Sequence, residues 1–189
     1  MLGVTLAVMA DGAGAKVATV GYTLGLTTMY SVSAIYHRGH WSPETSTRLR
    51  RLDHTTILLA IAATYTPVVT IGVGGRVGWA VFIAVWTFAL AGAVIRNVWL
   101  SAPRWATIAV YLVVGWVAVA AFPVLLNRLG GTTFGLIMLG GALYSAGAVV
   151  YSRKRPDPAP ATFGYHEVFH ALVVLAGLAF YAAVARVVT

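Results

Sequence analysis

The stretch Phe163-Gly164-Tyr165-His166-Glu167-Val168-Phe169-His170 opens the last apolar segment of the chain, which runs on to Val188. A basic, proline-containing loop precedes it. In a helix, His166 and His170 occupy positions i and i+4, so they share one face and lie one turn apart. Two imidazoles at this spacing can chelate one metal ion. The stretch therefore predicts a membrane-spanning helix that begins with a metal-binding pair.

The same stretch reads His-Glu-x-x-His, a pattern found in zinc proteases, where the glutamate serves as general base. Such enzymes take a third zinc ligand from elsewhere in the chain, commonly downstream. Beyond His170 the sequence has no His, Asp, Glu or Cys, so any further ligand must come from the earlier chain. An intramembrane protease is therefore the least favoured interpretation of this motif.

The composition indicates an integral membrane protein built from helices. Of the 189 residues, 59% are hydrophobic and only 10% are charged, whereas a soluble domain has about 25% charged residues. No segment shows the alternation of an outer-membrane strand, so the spans are predicted to be helical. The absence of cysteine excludes disulfides and thiolate ligands. A metal site must then use His and carboxylate groups, which suits zinc.

Six apolar segments are long enough to cross a bilayer, which takes about 20 residues. They are Val17–His37, Thr55–Val73, Gly78–Ile95, Ala106–Leu126, Thr132–Tyr151 and His166–Val188. Met1–Ala10 is apolar but short, and we interpret it either as the end of a truncated first helix or as a genuinely short segment. The sequence therefore predicts a single all-α domain, a seven-transmembrane helical bundle.

The distribution of Lys and Arg predicts the orientation of this bundle. The net charge of +8 is then a topological signal, and nucleic-acid binding is not predicted. The loops that follow His37, Ile95 and Tyr151 contain nine of the 13 basic residues, which are Arg38, Arg48, Arg50, Arg51, Arg96, Arg104, Arg153, Lys154 and Arg155. The positive-inside rule places these loops in the cytoplasm. With seven helices, we expect the N-terminus inside and the C-terminus outside.

This topology brings five polar residues to one depth near the cytoplasmic face, namely Ser33, His37, Asp53, His166 and His170. Ionisable groups within spans are costly and usually serve a site. Three histidines with an open position are typical of catalytic zinc, which lowers the pKa of a bound water to about 7. We expect Asp53 to accept the proton of that water. Ser33 would position a water or a substrate carbonyl.

Simpler roles exist for some of these residues. Asp53 opens a predicted span, so it is also a candidate N-cap, and the helix end would favour its ionised form. Ser33 can instead bond a backbone carbonyl. His54 points about 100° away from Asp53 on a helix and is not predicted to be a ligand. The loop arginines are predicted to serve topology and contact with anionic lipids; they are Arg48, Arg50 and Arg51.

Four motifs follow one another along the chain: Ser33-Ala-Ile-Tyr-His37, Leu49-Arg-Arg-Leu-Asp53-His54, Ala63-Thr-Tyr-Thr-Pro67 and Phe163-Gly-Tyr-His166-Glu-Val-Phe-His170. Together they resemble the haemolysin III proteins, bacterial members of the progestin and adipoQ receptor family. The resemblance runs from about Val17 to the C-terminus. It implies a seven-helix protein of a bacterial inner membrane, with a zinc site near the cytoplasmic face.

By the same resemblance, His37, His166 and His170 would ligate zinc, and Asp53 would hold the zinc-bound water. Ser33 would stand at the family's serine position. The wider group includes alkaline ceramidases and adiponectin receptors, which implies hydrolysis of lipid amides. We therefore expect a zinc-dependent hydrolase of lipid amides or esters that works on membrane lipids. A zinc-stabilised membrane sensor or cytolysin without turnover is the alternative.

Overall fold

The computed structural model describes residues 2–189, and within them the fold is an all-α bundle. Seven α-helices follow one another: α1 Leu2–Met9, α2 Gly12–Arg38, α3 Pro43–Pro67, α4 Gly75–Val98, α5 Arg104–Trp116, α6 Phe122–Arg153 and α7 Tyr165–Val188. A π-helical segment, Val68–Val73, continues α3, and a 3₁₀ segment, Val117–Ala121, joins α5 to α6. Met1, which belongs to the predicted N-terminal piece, lies outside the described residues.

Among the described residues, four helical segments are long and apolar enough to cross a membrane, namely Pro43–Val73, Gly75–Val98, Trp105–Arg153 and Tyr165–Val188. The third has 49 residues. A helix rises about 1.5 Å per residue, so this segment is long enough to cross a bilayer core of about 30 Å twice. Its helix breaks at Gly130, where φ is 73°, inside the turn predicted from the sequence. These features agree with an integral membrane protein.

The helices α1 and α2 fall outside that group for different reasons. At eight residues, α1 is too short to span. With 27 residues α2 is long enough, but no stretch of it is as apolar as the four segments above. With α6 divided at Gly130, the described chain has six long segments and one short one, the arrangement predicted from the sequence.

The start of α3 differs from the prediction. The helix begins at Pro43, and Asp53 lies well inside it. Ser42 caps the helix, because its hydroxyl oxygen accepts a hydrogen bond from the Thr45 N–H at 3.3 Å, and proline suits the first turn. The predicted loop Arg38–Leu52 is therefore helical from Pro43 onward. Asp53 is therefore not an N-cap, and no helix N-terminus stabilises its ionised form; both predictions were wrong.

Close packing of small residues holds the bundle together, as expected where lipid is as apolar as the helix surfaces. The central helix is α3, which packs on α2 and α4 and also contacts α5 and α7, while α6 packs along α7. Ala62 and Ala89 are fully buried in this centre. Gly25 of α2 lies against Ala63 of α3 with no room for a side chain between them. This packing brings α2, α3 and α7 together at one end.

Gly78 is the tightest contact between α4 and the π-helical segment, and we expect Gly78→Ala to destabilise the protein. The new methyl group would overlap the carbonyl oxygen of Val69, a backbone atom that cannot rotate away. The free energy of unfolding should fall by about 1–3 kcal/mol, the usual cost of overpacking. Gly21→Ala is the matched control, since its methyl group meets no atom within 4 Å. Thermal unfolding in detergent should show a lower midpoint for Gly78→Ala alone; equal losses would contradict this.

The orientation of the bundle remains a prediction with a direct test. The chain has no cysteine, so a single cysteine introduced in place of Thr45 or Ala159 reports on which side of the membrane that position lies. Both lie at the end of the bundle predicted to be cytoplasmic, and a membrane-impermeant thiol reagent should label them only after the cells are permeabilised. A cysteine at Arg76, near the opposite end, should be labelled in intact cells. Labelling of Thr45 or Ala159 from outside would reverse the orientation.

Candidate metal centre

Two helices bring three imidazoles together at the end of the bundle where α3 begins. His37 lies in the last turn of α2, and His166 and His170 lie in the first two turns of α7. One ligand nitrogen from each residue lies within 4.8 Å of the other two. The His37 ring centroid is 4.9 Å from that of His166 and 5.6 Å from that of His170. The three residues predicted from spacing and topology are thus neighbours in the fold.

The donor set of this cluster fits zinc. Nitrogens bound at about 2.0–2.1 Å to a tetrahedral zinc ion lie roughly 3.3 Å apart, and the Nε2 atoms of His166 and His170 are 3.0 Å apart. The same distance would also suit a hydrogen bond between two neutral rings, one with a protonated Nε2 atom and the other with a free one. That bond leaves unexplained why a third imidazole, His37, arrives from another helix. A metal ion accounts for all three.

Asp53 extends from α3 to the edge of the histidine cluster. Asp53 is only 8% exposed, and its Oδ2 atom lies 4.0 Å from His37 Nε2. The Ser33 hydroxyl donates a hydrogen bond to its carboxylate. A buried carboxylate needs such partners, because burying an unpaired charge is expensive. All five predicted site residues, including His166 and His170, therefore belong to one local group.

A pocket of about 230 Å³ opens beside this group, between α2 and α7, and is lined by Tyr30, Ser33, Ala34, His37 and His170. Its outer side is exposed: Ala34 is exposed on α2, and Val174, one turn beyond His170, is 49% exposed. In a membrane-spanning bundle, exposed apolar residues of this kind contact lipid. The pocket therefore opens from the histidines toward the exposed side of the bundle.

Glu167, the glutamate of the His-Glu-x-x-His pattern, has a different place. Its side chain is exposed, and its Oε2 atom accepts a hydrogen bond from the Gly164 N–H at 2.9 Å. Asp157 accepts from the neighbouring Tyr165 N–H at 2.8 Å. These two carboxylates satisfy N–H groups at the start of α7 that have no partner within the helix. Glu167 thus serves the helix end, which argues against the protease interpretation.

Three further residues lie near the site. His54 points away from the histidine cluster, whereas Tyr30 and Tyr151 lie beside it although the sequence did not single them out. His54 faces α5, with Nδ1 2.8 Å from the Tyr111 hydroxyl, as expected of a residue predicted not to be a ligand. Tyr30 lines the pocket, and its position three residues before Ser33 would have placed it on the same helix face. Tyr151 packs on His166 with ring centroids 5.9 Å apart, and no motif indicates it.

The comparisons with known proteins agree with this architecture. The Haemolysin-III related family matches residues 1–181. The chain is 33% identical to Hemolysin-3 of Bacillus cereus over 139 residues, which are 74% of this chain and 63% of that protein. It is also 33% identical to the Hemolysin-3 homolog of Bacillus subtilis (strain 168) over 126 residues, 67% of this chain and 56% of that protein. The chain spans less than two thirds of the length of these curated relatives. Since the family match covers nearly the whole chain, this membrane protein belongs to the Haemolysin-III related family.

Proposed function

We propose that the protein binds one zinc ion through His37, His166 and His170 and uses it to hydrolyse an amide or ester bond in a lipid. The observation that supports this most is the convergence of three imidazoles from two helices beside a buried carboxylate. Structural zinc sites are usually closed by four protein ligands, whereas catalytic sites have three and an open position. Three histidines match the second pattern.

The residues of the chain have separate roles in the proposed reaction. A zinc ion at this position supplies Lewis acidity and lowers the pKa of water. Asp53 Oδ2 is the atom that accepts a proton from the attacking water, and Ser33 orients the carboxylate through its hydrogen bond. As the water oxygen bonds to the acyl carbon, the C–N bond of an amide breaks. The proton held by Asp53 then passes to the departing amine, which leaves a fatty acid and an amine as products.

The pocket between α2 and α7 supports a lipid as the substrate. Its wall contains two ligand residues, His37 and His170, and Ser33, the hydrogen-bond partner of Asp53. Its outer edge is formed by exposed side chains that would face lipid. A lipid lying in the bilayer could therefore present its amide or ester to the histidines and leave its acyl chain in the membrane. A water-soluble substrate would gain nothing from an opening on that face.

The experiment that tests this function is a substrate panel. Purified protein in detergent is incubated with ceramides, other N-acyl lipids and fatty esters, with and without a zinc chelator. The proposal predicts release of fatty acid from at least one class of lipid, loss of that release with the chelator, and recovery when zinc is restored. Release that the chelator does not affect, or no release from any lipid amide or ester, would reject the hydrolase.

A second candidate is a cytolysin, and the specific observation in its favour is the name of the relatives, Hemolysin-3. Vesicles made of diether phospholipids separate the two candidates, because ether bonds hold both chains and no amide or carboxylic ester bond is present to cleave. Release of an enclosed dye from such vesicles would favour membrane lysis without catalysis. Intact ether-lipid vesicles together with zinc-dependent cleavage of amide or ester lipids would favour the hydrolase.

A further inference from the structure

Arg96, in the last turn of α4, is a buried cation whose hydrogen bonding is incomplete. The residue is 2% exposed. Its guanidinium group donates to the carbonyl oxygen of Trp99 at 3.2 Å and to the Tyr111 hydroxyl, while its Nε atom has no partner. Within residues 2–189 no carboxylate lies at ion-pair distance from it. A buried charge left in this state is strongly unfavourable unless another group compensates it.

A second arginine reaches the same short loop from another helix. Arg50, exposed on α3, donates from its NH2 group to the carbonyl oxygen of Leu100 at 3.2 Å. The carbonyls of two adjacent residues, Trp99 and Leu100, thus each accept from one guanidinium group. Among the described residues Arg50 also has no carboxylate at ion-pair distance. Two positive charges therefore approach the same short loop, although like charges repel.

Capping of α4 explains only part of this arrangement. An arginine in the last turn of a helix commonly bonds the final carbonyls and interacts favourably with the helix dipole, which accounts for the contact of Arg96 with Trp99. It does not explain the unpaired Nε atom, the burial of the whole side chain, or the approach of Arg50. Phosphate oxygens are stronger partners for guanidinium groups than neutral carbonyls are, because the bonds are charge-assisted and can be bidentate.

The surroundings of the two arginines suit a lipid headgroup. Trp99 is 49% exposed and Trp105 is 69% exposed, and exposed tryptophans mark the headgroup level of membrane proteins. Basic pockets between transmembrane helices commonly bind the headgroups of anionic lipids. The arginines lie at the ends of α3 and α4 that are predicted to be cytoplasmic, where bacterial anionic lipid would be available.

We propose that Arg96 and Arg50 bind the phosphate group of an anionic phospholipid. Its oxygens replace the carbonyl oxygens of Trp99 and Leu100 as acceptors, and one of them pairs with the free Nε atom of Arg96. Because Arg96 is covered, the loop between α4 and α5 shifts outward when the lipid binds. The site uses none of the metal-centre residues, so it stands independently of the proposed hydrolysis.

The test is a titration of the whole purified protein in neutral detergent, followed by tryptophan fluorescence. The probes are short-chain phosphatidylglycerol, short-chain phosphatidylcholine and inorganic phosphate. We expect saturable binding of phosphatidylglycerol, no saturation with phosphatidylcholine, and far weaker binding of phosphate. Equal affinity for phosphatidylcholine would overturn the proposal, and phosphate binding as tight as that of phosphatidylglycerol would make the ligand a free anion and overturn the lipid assignment.

Variants at the two arginines complete the test. Arg50→Gln is an exposed change that should preserve folding, and we expect it to weaken phosphatidylglycerol binding about tenfold, the effect of losing one charge-assisted hydrogen bond. Arg96→Lys keeps the buried charge but loses the planar fork, and it should weaken binding similarly. Arg76→Gln is the control, because this residue is also exposed, it lies near the opposite end of the bundle, and its substitution removes the same charge. Unchanged binding in Arg50→Gln, or an equal loss in Arg76→Gln, would contradict a defined site.

Discussion

Replacing His166 and His170 together by alanine is expected to reduce bound zinc from about one atom per chain to background. The double variant removes two of three nitrogen ligands, including the pair whose Nε2 atoms are 3.0 Å apart. Changing a residue that only supports a ligand lowers metal affinity about 10–100-fold. Removing two ligands should lower zinc affinity by more than that. Elemental analysis of protein purified without chelator measures this, and circular dichroism should show that the helices persist.

A matched control removes the same number of imidazoles elsewhere. His40 is exposed in the connection between α2 and α3, and His54 faces Tyr111, so neither belongs to the cluster. The double variant His40→Ala, His54→Ala should keep its zinc. Full zinc occupancy in the His166→Ala, His170→Ala variant would rule out the proposed site. Loss of zinc in both variants would point to a general effect on folding.

The second large effect is expected from Asp53→Asn, which should retain zinc and lose hydrolysis by about 10²–10⁴-fold, the usual contribution of a general base. Asparagine has almost the same shape as aspartate, so the packing around this buried residue and its contact with Ser33 should persist. Its amide group cannot accept the proton of the attacking water. Rates of fatty-acid release, measured beside zinc content on the same samples, separate loss of chemistry from loss of metal.

Glu167→Gln is the variant that distinguishes Asp53 from the glutamate of the His-Glu-x-x-His pattern. Glutamine keeps an oxygen that can accept from the Gly164 N–H, so the start of α7 should stay intact. We expect this variant to retain most of its activity. If Glu167→Gln instead abolishes turnover with zinc bound, while Asp53→Asn remains active, the protease-like mechanism is correct and the role given to Asp53 is wrong.

The grouping of the site residues could be predicted from the sequence because two simple rules act together. The i, i+4 spacing places His166 and His170 on one helix face. The distribution of Lys and Arg then assigns His37 to the same end of the bundle. Neither rule uses three-dimensional contacts, which is why both work on a sequence alone. The distances within the cluster depend on how α2 leans on α7, and no local pattern contains that information.

The start of α3 was mispredicted because the charged residues of this segment were interpreted as a loop. Ser42 and Pro43 form a recognisable start signal, but the arginines that follow suggested that the helix begins only at the apolar run. A helix can extend beyond the hydrocarbon core, where its charged side chains are solvated by headgroups and water. Asp53 therefore owes its position to burial inside the bundle, where the Ser33 hydroxyl is its partner.

The burial of Arg96 is a second feature that could not be predicted from the sequence. By the positive-inside rule Arg96 is an ordinary cytoplasmic cation, and its position after an apolar run indicates nothing more. Its burial results from the way α4 ends against α5 and the loop that connects them, where Tyr111 and Trp99 surround the guanidinium group. Such burial depends on tertiary packing and cannot be recognised from charge or periodicity.

The zinc site is tested most directly by X-ray absorption at the zinc K edge of the purified wild-type protein. With His37, His166 and His170 as ligands, the spectrum should show three imidazole nitrogens at about 2.0–2.1 Å, with oxygen in the remaining position. Elemental analysis of the same sample should give about one zinc atom per chain. A zinc ion with fewer than three imidazole ligands, or a purified protein that takes up no zinc, would contradict the proposed site.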